Sequence, residues 1–290
     1  MQGGGQVPEY SPELLRGTRE RLRSLLGEVW NRIEAEDNAS LPDRERHLLT
    51  VLDRNAARFE DDFAAHRFPG HLPDLMALTL VVKILERSAS DPVFSEILPG
   101  LADRGEFRHH MLTLGLADHL RRYTSYPVRL PTRAGSGARI VDLVIETAPE
   151  IYVETKGSHE FDGPLRSVSP TNAFKGIKQA WRRAFGGDHP QVPDDVNSAL
   201  LVGGVTVEVS SMVNIQRRAR DWLSRRGADH RFCWGILAMT FLTVSRIPPG
   251  RRIGDGAPIT VNAIASPLLM GIPNPHYRGT IQLVLTAPQW

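Results

Sequence analysis

Between Ser11 and Ile33 the apolar residues Leu15, Leu22, Leu25, Leu26, Val29, Trp30 and Ile33 recur at three- and four-residue steps, with Arg and Glu between them. That is the period of a helix with one buried face. Ser11 followed by Pro12 supplies an N-cap and a first-turn proline. Two further helical stretches are expected, from about residue 42 to 68 and from about 73 to 87, parted by the breakers Phe68-Pro69-Gly70-His71. Residues 1–100 therefore read as an all-helical N-terminal region. After a break at Leu98-Pro99-Gly100, one more helix is expected from about 103 to 123.

The period then shortens to two. Tyr126 to Thr132, Arg139 to Glu146 and Ile151 to Thr155 are short β-rich runs. Turn-forming sequences join them: Arg133-Ala134-Gly135-Ser136-Gly137 and Thr147-Ala148-Pro149-Glu150. A helix from about 171 to 185, an apolar strand from 199 to 209, a basic helix from 212 to 226 and β-rich runs at 234–244, 259–264 and 280–285 follow. This order predicts an α/β fold, a mixed sheet flanked by helices, filling residues 101–290. The segment 248–256, rich in Pro, Gly and Arg, reads as a basic surface loop.

Bulk charge adds little, since 35 Lys and Arg against 33 Asp and Glu leave a net charge of only +2. Affinity for nucleic acid must then come from local clusters. The single cysteine, Cys233, lies in an apolar run and pairs with no evident base, so an inert buried thiol and a reducing, cytoplasmic setting are expected. The first residues have neither a basic start nor an apolar run, so no signal peptide is expected. The apolar run 234–244 falls short of the ~20 residues that cross a bilayer, so no membrane association is expected. Neither a Gly-rich phosphate loop ending in Gly-Lys-Ser/Thr nor a His-Glu-x-x-His pattern is present. The histidines His66, His71, His109, His110, His119, His189 and His276 read as ordinary scattered residues.

Chemistry concentrates in two apolar strands broken by charge, Ile140-Val141-Asp142-Leu143-Val144-Ile145 and Ile151-Tyr152-Val153-Glu154-Thr155-Lys156-Gly157. Alternation along a strand places Glu154 and Lys156 on one face and Val153 and Thr155 on the other. If the strands are antiparallel neighbours, Asp142 converges on that pair. Carboxylates in so apolar a setting cost several kcal/mol unless paired or coordinated. A divalent cation with two oxygen ligands and waters resolves the cost, and Mg2+ suits such a site. The plain alternative is a solvated ion pair on an edge strand.

Asp142, a strand turn and then Glu154-Thr155-Lys156 resembles the core motif of the PD-(D/E)xK, or restriction-endonuclease-like, nuclease superfamily. The likeness spans roughly residues 103 to 209, with Val141 where a proline often precedes the first acid. It implies a restriction-endonuclease-like sheet and Mg2+-dependent hydrolysis of phosphodiesters, Mn2+ being able to substitute, with an endonuclease favoured over an exonuclease. It also implies that Asp142, Glu154 and the Thr155 carbonyl bind the ion, that Lys156 stabilises the reacting phosphate, and that Glu106 is a further candidate ligand. For Glu106 a helix-dipole partner is the plain alternative. Lys178 and Gln179 stand where relatives place substrate-touching residues. Lys175, Arg182, Arg217 and Arg218 join them as candidate phosphate contacts, against the alternative of a solvated helix face. Expected partners are nucleic acid, DNA before RNA, and a protein docked on the helical N-terminal region; a homodimer is also compatible. Defence against foreign DNA, an RNase activity, and an inactive binding module that keeps the fold are the neighbouring readings.

Overall fold

The computed structural model describes residues 9–37, 41–42, 45–65, 72–123, 126–131, 141–157, 169–186, 191–192, 196, 198–205, 209–240, 259–260 and 268–279. A two-residue strand β1 (Glu9–Tyr10) leads into helix α1 (Pro12–Leu26), whose N-cap is Ser11, its hydroxyl accepting from the Leu14 N–H. Leu15, Leu22 and Leu26 are buried on its inner face. The apolar period runs on past Leu26, yet the helix breaks at Gly27 (φ 52°) and restarts as α2 (Glu28–Glu36). Glycine takes that left-handed φ without a Cβ penalty, and this lets the second segment turn while Val29, Trp30 and Ile33 stay buried.

Helices α3 (Leu48–Ala64), α4 (Leu72–Ser88), α5 (Pro92–Ile97) and α6 (Phe107–Tyr123) follow, with a 3-10 turn at Leu98–Ala102 where Leu-Pro-Gly was expected to break the chain. Helix α1 packs on α3 and α4, α4 on α6, and α6 on the sheet.

The main sheet has six strands: β2 (Val128–Arg129), β3 (Leu143–Ile145), β4 (Ile151–Gly157), β5 (Ala199–Val205), β6 (Cys233–Thr240) and β8 (Leu268–Pro273), adjacent in that order. β2, β3 and β4 are antiparallel, β4, β5 and β6 are parallel, and β8 returns antiparallel to β6. Helices α7 (Pro170–Phe185) and α8 (Val209–Arg226) make the crossovers between the parallel strands. The remaining strand, β7 (Ile259–Thr260), pairs with β1 in a separate two-stranded sheet. The fold is thus mixed α/β, a six-stranded mixed sheet flanked by helices, as the succession of periods predicts.

Each face of the sheet has its own hydrophobic cluster. Leu143, Ile145, Ile151, Val153, Leu200, Val202 and Leu237 join one continuous cluster with the buried residues of α1 to α6. Val144, Ala199, Leu201, Ile236 and Ala238 face the other way, against α7 and α8. The first cluster runs across the boundary expected at residues 100/101, so the helices on both sides of it share one core with that face of the sheet.

Some strand expectations need correction. Among the described residues of the expected runs 126–132 and 139–146, strand pairing covers 128–129 and 143–145. Residues 209–226 are helical, so β5 ends earlier than expected. Strand β8 was not expected: prolines at 267 and 273 bracket a short apolar run that, among the described residues, pairs along one edge. The stretches 248–256 and 280–285 lie outside the described residues.

Candidate active site

β4 extends past the start of β3. Leu143 pairs with Val153, and Asp142 occupies the bend just before β3, so among the described residues no strand pairs with Thr155 on the β3 side of β4. The backbone N–H of Asp142 still donates to the Val153 carbonyl at 3.0 Å. The Asp142 carboxylate then takes the place of the next ladder partner: its Oδ2 accepts from the Thr155 N–H at 2.6 Å and from the Thr155 hydroxyl at 2.9 Å. Backbone groups of one residue leave a strand on the same edge, so the Thr155 carbonyl also points to the Asp142 side of β4.

Glu154 and Lys156 alternate with Thr155. Glu154 pairs in register with Leu201, and Lys156 with Gly203. Leu201 belongs to the cluster under α7 and α8, and a Cβ on Gly203 would touch Ile177 of α7, so both charged residues project on the α7 side. This is the shared face that alternation predicts. Thr155 projects the other way, where its hydroxyl lies 3.1 Å from that of Thr113 on α6. The side-chain contacts of Asp142, ahead of β3, are with His109 of α6 and with Thr155, on the α6 side of β4, and its charge reaches Glu154.

From α6 comes a residue that sequence reasoning passed over as ordinary. His109 Nε2 donates to Asp142 Oδ1 at 2.9 Å, and its Nδ1 lies 3.4 Å from the Thr155 hydroxyl. One Asp142 oxygen thus accepts two hydrogen bonds and the other accepts one, which leaves a lone pair of Oδ1 open. The available signal was the spacing of His109 and Thr113, two polar residues four apart on a helix otherwise rich in buried Leu. His110 points elsewhere; its ring packs against Gly100, where even a Cβ would collide with it.

Burial and charge separate the two carboxyls. Glu154 is 2% exposed. Burial first, and the charge of Asp142 second, raise its pKa to about 7, although the Lys156 ammonium works against both. Asp142 moves the other way: burial alone would raise it, but the hydrogen bond and charge of His109, with the Thr155 N–H, hold it below the usual carboxylate range. Burial would lower His109, and the Asp142 hydrogen bond and charge outweigh it, so the imidazole is held above its ordinary pKa.

Lys156 Nζ is paired with Glu154 Oε1. The second oxygen, Oε2, is buried and has no hydrogen-bond partner. An ionised carboxylate oxygen without a donor is costly, and a cation beside Asp142 would relieve that cost. The donor types suit a hard cation: two carboxylates of opposed pKa and a backbone carbonyl, from neighbouring positions of β4 and from the bend before β3. Among the described residues no three His, Cys, Asp or Glu side chains form a cage by themselves. Mg2+ seldom needs one, because it keeps several waters and substrate oxygens.

The other expected site residues are more dispersed. Glu106 is exposed just before α6, its backbone N–H capped by Asp103, and its charge reaches His109 and His110. The α6 side chain that meets Asp142 is that of His109. On α7, Lys175, Gln179 and Arg182 are exposed, while the Lys178 ammonium lies 5.0 Å over the Phe174 ring. On α8, Arg217 and Arg218 are exposed, and Arg218 donates to the Thr171 hydroxyl at 3.1 Å. Cys233 is buried, its thiol pushed up to about 12 by burial, which suits the inert role expected of it. No described helix is long and apolar enough to cross a membrane.

Comparison of the chain with protein-family models, with curated proteins and with solved structures returns no match in any of the three.

Proposed function

We propose that the chain is a metal-dependent phosphodiester hydrolase of the PD-(D/E)xK type acting on nucleic acid, DNA first. The observation that carries this reading is the buried Glu154 Oε2 without a hydrogen-bond partner, in a carboxylate whose other oxygen holds the Lys156 ammonium and which feels the charge of Asp142. The site would hold Mg2+, or Mn2+ in its place, through Asp142 Oδ1, Glu154 Oε2 and the Thr155 carbonyl. Such an ion, when bound, supplies Lewis-acid polarisation of a phosphoryl oxygen and acidifies water.

The chain's own residues supply the rest. His109 and Thr155 fix the Asp142 carboxylate from the α6 side, so its open lone pair keeps one direction. Lys156, at the solvent margin of the site with 16% of its side chain exposed, can turn from Glu154 to a phosphate. There it would offset charge that grows on the phosphoryl oxygens. The surrounding apolar sheet lowers the local dielectric and strengthens each of these contacts.

The test is incubation of the purified chain with plasmid, single-stranded DNA and RNA in Mg2+, Mn2+ or EDTA. Cleavage that needs the metal and disappears in Glu154→Ala and Lys156→Ala supports the reading. Cleavage that survives both substitutions rejects the site, and no cleavage of any of the substrates under any metal rejects the activity.

A further inference from the structure

The two layers that flank the sheet differ electrically. Helices α1 to α6 carry thirteen acids against twelve Lys and Arg, close to balance. On the opposite side, α7 carries Lys175, Lys178, Arg182 and Arg183 and no acid. Helix α8 adds five arginines, Arg217, Arg218, Arg220, Arg225 and Arg226, against the single acid Asp221. A net charge of +2 for the whole chain conceals this one-sided layer.

We propose that the outward surface of α7 and α8 is a docking surface for a nucleic-acid backbone, one that binds without any metal. Its biological sense rests on the reading of the active site above, but the binding itself does not. The inner faces of both helices are committed to the sheet through Ala173, Ile177, Ala180, Ile215, Ala219 and Leu223. Every cation of the pair is exposed except Lys178, which is half-buried. The contacts of two of them are to neutral acceptors: Arg225 donates to the backbone carbonyl of Asp221 and Arg218 to the Thr171 hydroxyl.

Arginines in a last helical turn also answer the partial negative charge of the helix end, and this accounts for Arg182, Arg183, Arg225 and Arg226. It does not account for Lys175, Arg217, Arg218 and Arg220, which lie outside the last turns. A helix of 16 residues spans ~24 Å, about seven phosphates of one strand at 3.4 Å each. An acidic lipid surface would need apolar anchors among the cations. Val213 is the one strongly exposed large hydrophobic side chain among the described residues, so a polyanion without lipid fits better. Glu154 and Lys156 project from the sheet on this same side, so a strand lying on α7 and α8 approaches the site from the face that carries its charges.

The experiment is fluorescence anisotropy of labelled 20-mer DNA, single- and double-stranded, with the full chain in EDTA between about 50 and 200 mM salt. The wild type is expected to bind with a steep loss of affinity as salt rises. The variant Arg217→Ala/Arg218→Ala/Arg220→Ala should bind at least tenfold more weakly at low salt, with the log–log salt slope reduced by about 2 to 3. A second variant on the other helix, Lys175→Ala/Arg182→Ala, should act in the same direction, while Arg21→Ala/Arg32→Ala on α1 and α2 should bind as wild type. Circular dichroism and melting confirm that each variant is folded.

No DNA binding in EDTA, equal binding by the α8 variant and the wild type, or tighter binding to phosphatidylserine vesicles than to DNA would each overturn the proposal. Cleavage that persists in Glu154→Ala would reject the active site and leave this surface standing. An active enzyme whose affinity ignores the α7 and α8 charges would do the reverse.

Discussion

At the turn end of the β3–β4 hairpin, Arg129 bonds to Glu146 at 3.2 Å and to Glu150 at 2.7 Å, with side chains 36–45% exposed. At the open end the same two strands hold Glu154 and Lys156 at 2% and 16%, and Asp142 at 17%. The residue types are alike and the environments are not. Water can solvate every oxygen of the first group, so its pairing contributes roughly 0–1 kcal/mol. Glu154 Oε2 in the second group is buried and has no hydrogen-bond donor from the described residues. A solvated ion pair on an edge strand, the plain reading of the charged motif, therefore describes the turn end and fails at the open end. Charge pattern alone does not distinguish a site from a surface ion pair; the length by which one strand outruns its neighbour does.

The comparison is broken most sharply by cleavage assays. Alanine at Asp142, Glu154 or Lys156 should lower metal-dependent cleavage by about a thousandfold or more, whereas Arg129→Ala and Glu150→Ala should change it less than about twofold. Equal losses at the two ends would erase the distinction.

Metal affinity should carry the signature of Glu154. Its carboxyl must lose a proton before Oε2 can accept a cation, and it loses it at about 7. Calorimetric Mn2+ affinity should be level above that pH and fall about tenfold per unit below it. A fall that begins only at the ordinary carboxylate pKa would place Glu154 in water.

His109 should act through Asp142. Leucine there should weaken metal affinity and cleavage by about tenfold. Asparagine or glutamine, which can still donate to Oδ1, should restore part of both. A loss that the amides do not restore would assign His109 to packing alone.

Stability offers a smaller test without metal. The Glu154 pKa is raised in the fold, so burial of its charge opposes folding once the pH passes the unfolded value of 4.5, and the penalty is complete above about 7. The stability of Glu154→Gln relative to wild type should therefore rise between those limits, by on the order of 3 kcal/mol at most. Denaturant titrations at pH 5 and 8 measure it.

How much of this was legible in the sequence differs by element. The strands at 143–145 and 151–157 were evident because their apolar runs are broken by charge in a period-two pattern, and the mixed sheet followed from the order of periods. Alternation also fixed the shared face of Glu154 and Lys156. His109 was hidden because 33 residues separate it from Asp142, and a lone histidine on a helix has no local feature that names its partner. The break at Gly27 was hidden because the apolar period continues across it. Strand β8 was hidden by its prolines. The cations of α7 and α8 were each visible, but that the crossovers bring both helices onto one face of the sheet, opposite a nearly neutral layer, is a property of topology and not of either segment.

Diffraction from crystals soaked in Mn2+, recorded at the manganese edge, tests the central claim most directly. An anomalous peak within roughly 2.1 Å of oxygens from both Asp142 and Glu154, close to the Mg2+ coordination distance, is the expected result. Crystals that show no peak there at millimolar Mn2+, with Glu154 still paired only to Lys156, would contradict it.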